Sequence, residues 1–287
     1  PYALLAQSVA WAGRFGANSF DRGYAIAADA AGNSYITGYF RNTVAFGSTT
    51  LSATGGADTY VAKLGPDGEV LWAVKAGSSE GLDQGNAIAV DAAGNCYVAG
   101  QFSSTATFGS FTLTATGNVD AFMAKLNSEG VFVWVRAIGG NAGDISYGIA
   151  ADAAGNSYVV GGFSGTAVFG TTTLVSSTTE VFIAKLDPAG NFLWAQKAGG
   201  GQADEARSIA LDAAGNCYVT GQVGSLGPAG GTATFGGITL TLAGDEDVFV
   251  TKLDANGDFL WAKQAGGSAR DMGQGLSTDA AGNCYLT

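Results

Sequence analysis

Five copies of one phrase, Ile-Ala-x-Asp-Ala-Ala-Gly-Asn-x-Tyr-x-x-Gly at its most legible, divide the chain and leave few folds open to it. The Asp that begins the turn stands at Asp29, Asp91, Asp152, Asp212 and Asp279, in steps of 62, 61, 60 and 67 residues. The five tryptophans, Trp11, Trp72, Trp134, Trp194 and Trp261, keep the same interval. A period of this length marks a repeat architecture, in which each unit buries its apolar face against its neighbours. The chain therefore reads as one array over 1–287, with units near 12–72, 73–134, 135–194, 195–261 and an incomplete 262–287.

Within a unit the pattern is that of short strands and tight turns. Ser208–Leu211 is an apolar strand, Asp212-Ala-Ala-Gly-Asn216 its turn, and Cys217–Gly221 the returning strand. Asp suits the start of such a turn and Gly its φ > 0 position. Thr232–Gly236 and Ile238–Leu242 are β-branched and alternating, which fits an extension of that strand and its return. Asp247–Asp254 and Asp258–Gln264, joined by a second Asp/Gly turn, complete the unit, and no segment has a helical apolar period. The long fourth step comes from extra residues within Gly224–Gly230, read as a lengthened surface loop.

Four or five strands per unit of about 60 residues predict an all-β β-propeller. A stacked β-solenoid is the runner-up, but its coils are shorter. The Trp strand and the Asp-Ala-Ala-Gly-Asn hairpin occur five times, whereas the Lys-Leu strand occurs four times, at Lys63, Lys125, Lys185 and Lys252. The two ends then supply complementary pieces of one blade, predicting five blades with the last shared by the termini. The competing expectation is a longer array continuing past Thr287.

Composition narrows the chemistry. Histidine is absent, which removes His-activated nucleophiles, His-ligated metals and the usual general base near neutrality. The remaining carboxylates show no convergent catalytic set, and Asp245, Glu246 and Glu205 read as ordinary polar loop residues, so a non-enzymatic role is expected. A net charge of −11 opposes a phosphate backbone, so nucleic acid is not an expected partner. No apolar run reaches the roughly 20 residues of a membrane-spanning helix. Cys96, Cys217 and Cys284 share one repeat position with Ser34 and Ser157, and read as small buried residues rather than as disulfide or metal partners. Residues 1–6 read either as the tail of a cleaved export signal or as an irregular first strand.

The phrase, followed by Phe-Val-Ala/Thr-Lys-Leu-Asp-x-x-Gly-x-x-x-Trp, resembles the bacterial SBBP-type β-propeller repeat over nearly the whole chain. Its best stretches are Asp204–Gly221 and Val248–Asp254. The Thr-Ala-Thr-Phe-Gly insertion looks like the version found in secreted and surface proteins of Bacteroidetes. The resemblance implies an extracellular or outer-surface interaction scaffold, part of an adhesin or larger assembly, with a protein or glycan partner. It implies no catalytic residues.

Two sets of residues are site candidates. Asp21, Asp83, Asp144, Asp204 and Asp271 occur once per unit ahead of the turn Asp, where a propeller places its inner strand. They are candidates for an acidic ring at a channel mouth holding a cation, Ca²⁺ first, or for acceptors that pin adjacent blades through backbone N–H groups. No other cofactor is expected. Trp72, Trp134, Trp194 and Trp261 are candidates for inter-blade core, with ligand stacking in a multivalent carbohydrate-binding propeller as the alternative. The Asp-Ala-Ala-Gly-Asn loops are too short for a calcium loop and are read as turns. The repeated Lys is read as paired or snorkelling.

Overall fold

A computed structural model describes residues 11–16, 19–200, 203–224, 231–279 and 281–287. The expected export remnant at 1–6 and most of the extra loop, residues 225–230, lie outside the described residues. The described residues form strands joined by turns, with no helix among them, and thus none long and apolar enough to cross a membrane.

The first unit contains β1 (Arg22–Ala28), β2 (Ser34–Phe40), β3 (Thr43–Phe46), β4 (Thr49–Ser52), β5 (Asp58–Leu64) and β6 (Val70–Ser78). The second repeats them as β7 (Gln84–Val90), β8 (Cys96–Phe102), β9 (Thr105–Phe108), β10 (Phe111–Thr114), β11 (Asp120–Leu126) and β12 (Phe132–Gly140). The third runs β13 (Asp144–Ala151), β14 (Ser157–Phe163), β15 (Thr166–Phe169), β16 (Thr172–Val175), β17 (Glu180–Leu186) and β18 (Phe192–Gly199). The fourth runs β19 (Glu205–Leu211), β20 (Cys217–Gly224), β21 (Thr232–Phe235), β22 (Ile238–Thr241), β23 (Glu246–Leu253) and β24 (Phe259–Ala265), and β25 (Leu276–Thr278) with β26 (Cys284–Leu286) begins a fifth.

Each complete unit is a four-stranded antiparallel meander, β1-β2-β5-β6 in the first, of the kind that forms a propeller blade. Inner strands β1, β7, β13, β19 and β25 lie successively side by side. Core positions alternate along the strands, and β14 and β20 are buried on both faces because each is sandwiched between neighbouring blades.

The Thr-rich hairpin departs from expectation. Rather than extending its own unit's second strand, it crosses to the preceding blade: β9 pairs with β6 through Ala76↔Phe108 and Gly77↔Thr107, β15 with β12, and β21 with β18. Its alternation explains the arrangement. Ala106 and Phe108 turn inward at 0% and 1% exposure while the threonines face out. Phe108 then packs tilted against Phe122 and edge-on to Phe132 of its own blade at 4.9 and 5.9 Å, and Phe169 and Phe235 make the equivalent pairs. One hairpin thus joins two blades, by backbone to one and by a buried ring worth about 1.5–3 kcal/mol to the other.

Tryptophan makes the second seam. The Trp72 indole N–H donates to Ser128 O in the next unit at 2.9 Å, Trp134 to Pro188 O at 3.1 Å and Trp194 to Ala255 O at 3.2 Å. Trp11 donates to Pro66 O in the same way. Glycine is required beneath each ring: a Cβ on Gly190 (φ +80°) would lie 2.7 Å from Trp134 Cδ2.

Candidate functional site

The turn aspartates are fully used in local structure. Asp91 Oδ1 accepts the backbone N–H of Ala93 and Asn95, and Oδ2 accepts the Asn95 side chain and the Tyr97 hydroxyl. Burial alone would raise such a carboxyl, but these bonds outweigh it, so Asp29, Asp91 and Asp279 lie below the usual range. In Asp212 the Asn216 bonds and the Lys252 ammonium, 3.2 Å away, overcome burial and hold the carboxyl at about 2. The repeated lysines sit over the rings of the motif's tyrosines: Lys63 over Tyr35, Lys125 over Tyr97, Lys185 over Tyr158 and Lys252 over Tyr218, at 4.6–5.0 Å.

Asp83, Asp144 and Asp204 are at most 1% exposed, and each carboxylate bridges two chain segments. Asp83 accepts Ser78 N at 2.6 Å and Ser103 N at 2.9 Å; Asp144 accepts Gly140 N and Ser164 N; Asp204 accepts Gly200 N and Gly224 N. Asp271 accepts Gly267 N and Asp21 accepts Arg41 N. Each therefore ties the exit of one blade's last strand, or the end of its own second strand, to the start of an inner strand. Among the described residues no three Asp, Glu or Cys side chains come together as metal ligands. The indoles of Trp72, Trp194 and Trp261 lie edge-on to a tyrosine and that of Trp134 is tilted against one, all at 6.1–6.2 Å, Trp134 being 4% exposed. Cys96 and Cys217 are buried free thiols pushed up to about 12 by burial, while Cys284 is a free thiol exposed on β26.

Burial also raises the Asp144 carboxyl, to about 7, against the pull of its two N–H bonds; the charge of Asp120 adds to the rise. A carboxyl that holds its proton more tightly in the folded chain than at its ordinary value near 4 stabilises the fold at low pH. That contribution is lost as pH rises through about 7. The melting temperature is accordingly expected to fall between pH 5 and 8 by more in the parent than in Asp144→Asn. Parallel melting profiles for the two proteins would remove this assignment.

A different row of residues emerges from the inner strands. Register shifts between Gly23 and Ala25, Gly85 and Ala87, Ser146 and Gly148, and Ala206 and Ser208 leave one bulged residue per strand. These residues are Tyr24, Asn86, Tyr147 and Arg207, and Gln274 holds the same repeat position in the fifth unit. Its immediate neighbours are always Gly, Ala or Ser, whereas this position carries a large polar side chain in every unit and changes between units except for its two tyrosines. A bulge re-aims a side chain that a regular strand would bury.

The row is linked across blades. Asn86 Nδ2 donates to Ser146 O at 2.9 Å, and Gln84 donates to Asn86 Oδ1. The Arg207 guanidinium lies 4.1 Å from the Tyr147 ring centroid and pairs with Glu205. The Tyr147 hydroxyl donates to Glu205 Oε1 at 3.3 Å, and Gln222 Nε2 to Glu205 Oε2 at 3.1 Å. Burial, with Glu205 second, pushes the Tyr147 hydroxyl up to about 12. Glu205 thus belongs to a polar inner-edge network rather than to an ordinary loop. Glu246 is 3% exposed and pairs with Arg270.

Sequence reading passed over this row because its residues share no chemical type. The available signal is a large polar residue between two small ones five positions before each turn Asp. A second bulge, opposite the Lys-Leu pair, throws out Leu71, Val133, Leu193 and Leu260, which are 48–54% exposed.

No family model matches the chain. An uncharacterized WD repeat-containing protein of Acanthamoeba polyphaga mimivirus is 27% identical over 241 residues, 71% of this chain. The chain spans 17% of that relative's length. Among solved structures, a protein of unknown function from Bacteroides caccae aligns over 85% of this chain and 82% of its own, with a TM-score of 0.35 at 12% identity. The WD40 domain of Neurospora crassa Pan2 aligns over 93% and 86%, with a TM-score of 0.29 at 11% identity.

Proposed function

We propose that this chain is a non-enzymatic interaction scaffold whose inner-edge bulges recognise a protein partner. The observation that carries the reading is the bulged position itself. Flanked by small residues in every unit, that position presents Tyr24, Asn86, Tyr147, Arg207 and Gln274, all hydrogen-bonding side chains, two of them aromatic and one a guanidinium. Tyr and Arg are the residue types that carry most binding energy at protein interfaces. A partner meeting this row contacts a different side chain on each blade, so it is held in one orientation.

The same proposal takes the units as blades of a five-bladed ring closed by the two ends, with SBBP-type ancestry and display outside the cell as part of an adhesin or larger assembly. Its support is the motif resemblance and the side-by-side succession of inner strands β1, β7, β13, β19 and β25.

The test begins with peptide ligands selected from a displayed library against the parent protein. Arg207→Ala and Tyr147→Ala are each expected to weaken the selected ligands at least about tenfold, or 1.4 kcal/mol, with melting temperatures near that of the parent. Ligands that bind both variants as tightly as the parent would place the recognition surface elsewhere.

A further inference from the structure

Away from the inner edge, a groove of about 930 Å³ lies between the second and third units. Its walls are the end of β12, the β15–β16 hairpin that crosses onto it, and the turn entering β18. We propose that this groove binds a neutral oligosaccharide of two to three sugar rings. The assignment goes beyond the protein-scaffold reading and does not depend on it.

The size fits: small-molecule sites span roughly 300–1,000 Å³. The functional groups fit more specifically. Arg136 donates from Nε to Gly190 O at 2.8 Å, from Nη1 to Val135 O and from Nη2 to Ala189 O, which fixes the guanidinium. A guanidinium has five N–H groups, so two remain without a partner among the described residues. Asn141 spends its Oδ1 on Thr166 N, leaving its amide N–H₂ to donate. Asn191 spends its N–H₂ on Asp187, leaving its carbonyl to accept. The Thr171 side chain is exposed beside them and can do either. Val168, 43% exposed, and the Phe192 ring give the groove its apolar floor.

A wall that offers donors and acceptors together matches sugar hydroxyls, each of which donates and accepts. An anion would use only the donors and would face the Asp120 carboxylate, 2% exposed in the same wall, in a protein of net charge −11. Asp120 makes no ion pair with Arg136 among the described residues; its oxygens accept from Thr116 N, the Thr116 hydroxyl and Gly117 N.

The repeat supplies an internal comparison. The equivalent groove one unit earlier, about 540 Å³, is lined by Thr54, Lys75, Gly77 and Thr107. There Val74 stands where Arg136 does, and Lys75, at the position of Ala137, is taken up internally by Asp58 at 2.8 Å and by Thr54. Binding is therefore assigned to the Arg136 groove.

The experiment is a titration of the ¹⁵N-labelled parent with cellotriose, maltotriose, mannotriose and xylotriose, and with trigalacturonate as the acidic control. At least one neutral trisaccharide is expected to shift resonances of residues 136–141 and 190–192 at a stoichiometry of one. Arg136→Ala is expected to weaken that binding at least about tenfold, and Lys75→Ala to leave it unchanged. Melting curves establish that both variants fold. The proposal is overturned if no neutral trisaccharide shifts the groove, if trigalacturonate binds more tightly, or if folded Arg136→Ala binds as the parent does. None of these outcomes bears on the peptide ligands of the inner edge, so the two readings fail separately.

Discussion

Gly161→Ala is expected to destabilise the chain at the upper end of the roughly 1–3 kcal/mol typical of overpacking, or beyond it. A Cβ at Gly161 would stand 1.9 Å from Ile145 O and 2.7 Å from the Phe182 ring, and the first contact is backbone. Neither can move away cheaply. Ile145 O belongs to the stretch of β13 that precedes the Tyr147 bulge, so relief requires flattening that bulge or separating β13 from β14. The same contact recurs at Gly38, Gly100 and Gly221, with carbonyl oxygens at 1.8–1.9 Å. This is why the repeated phrase ends in glycine. The adjacent Gly162→Ala is the control, since the nearest atoms to its Cβ would be the side chains of Glu205 and Thr179, both at 3.2 Å. Urea denaturation should place Gly161→Ala well below the parent and Gly162→Ala within about 1 kcal/mol of it. Equal effects would mean that loss of strand glycine, rather than the carbonyl contact, sets the cost.

That pair of glycines also marks how far the sequence could be read. The Asp-Ala-Ala-Gly-Asn turns and the strand layout follow from local chemistry, and they stand where the spacing puts them. Asp91 and its four hydrogen bonds are a property of seven consecutive residues. The bulges are not local. Whether Tyr147 faces inward depends on one residue of slip between β13 and β14, which a glycine fourteen positions later permits. The hairpin's crossing to the preceding blade was hidden for a similar reason. Thr105–Phe108 has the alternation of any edge strand, and only the fit of Phe108 between two blades selects its partner. The acidic set is legible by its period, and its reading as acceptors of backbone N–H groups matches what Asp83 and Asp144 do, although the donors' identity, four to twenty residues away, is not local.

Trp134→Ala is expected to cost about 3–5 kcal/mol, the range for removing a buried large aromatic. The ring is 4% exposed, lies on Gly190 of the next unit, meets Tyr97 at a tilt of 57° and carries Arg136 5.7 Å from its centre. Its N–H reaches across the seam to Pro188 O, a bond worth about 1 kcal/mol net. Trp134→Phe should therefore recover most of the packing while giving up the bond and part of the ring's reach. Because the indole packs across the seam, its truncation weakens coupling between the second and third blades rather than either blade alone. In a nearest-neighbour array, weaker coupling separates one unfolding transition into two. Trp261→Ala provides the contrast. That ring is only half-buried, and its N–H meets no acceptor among the described residues. Urea unfolding followed by circular dichroism should show a broadened or two-step curve for Trp134→Ala and a single, less shifted transition for Trp261→Ala. A uniform shift of equal size in both would mean that the indoles stabilise each blade from within and do not join one blade to the next.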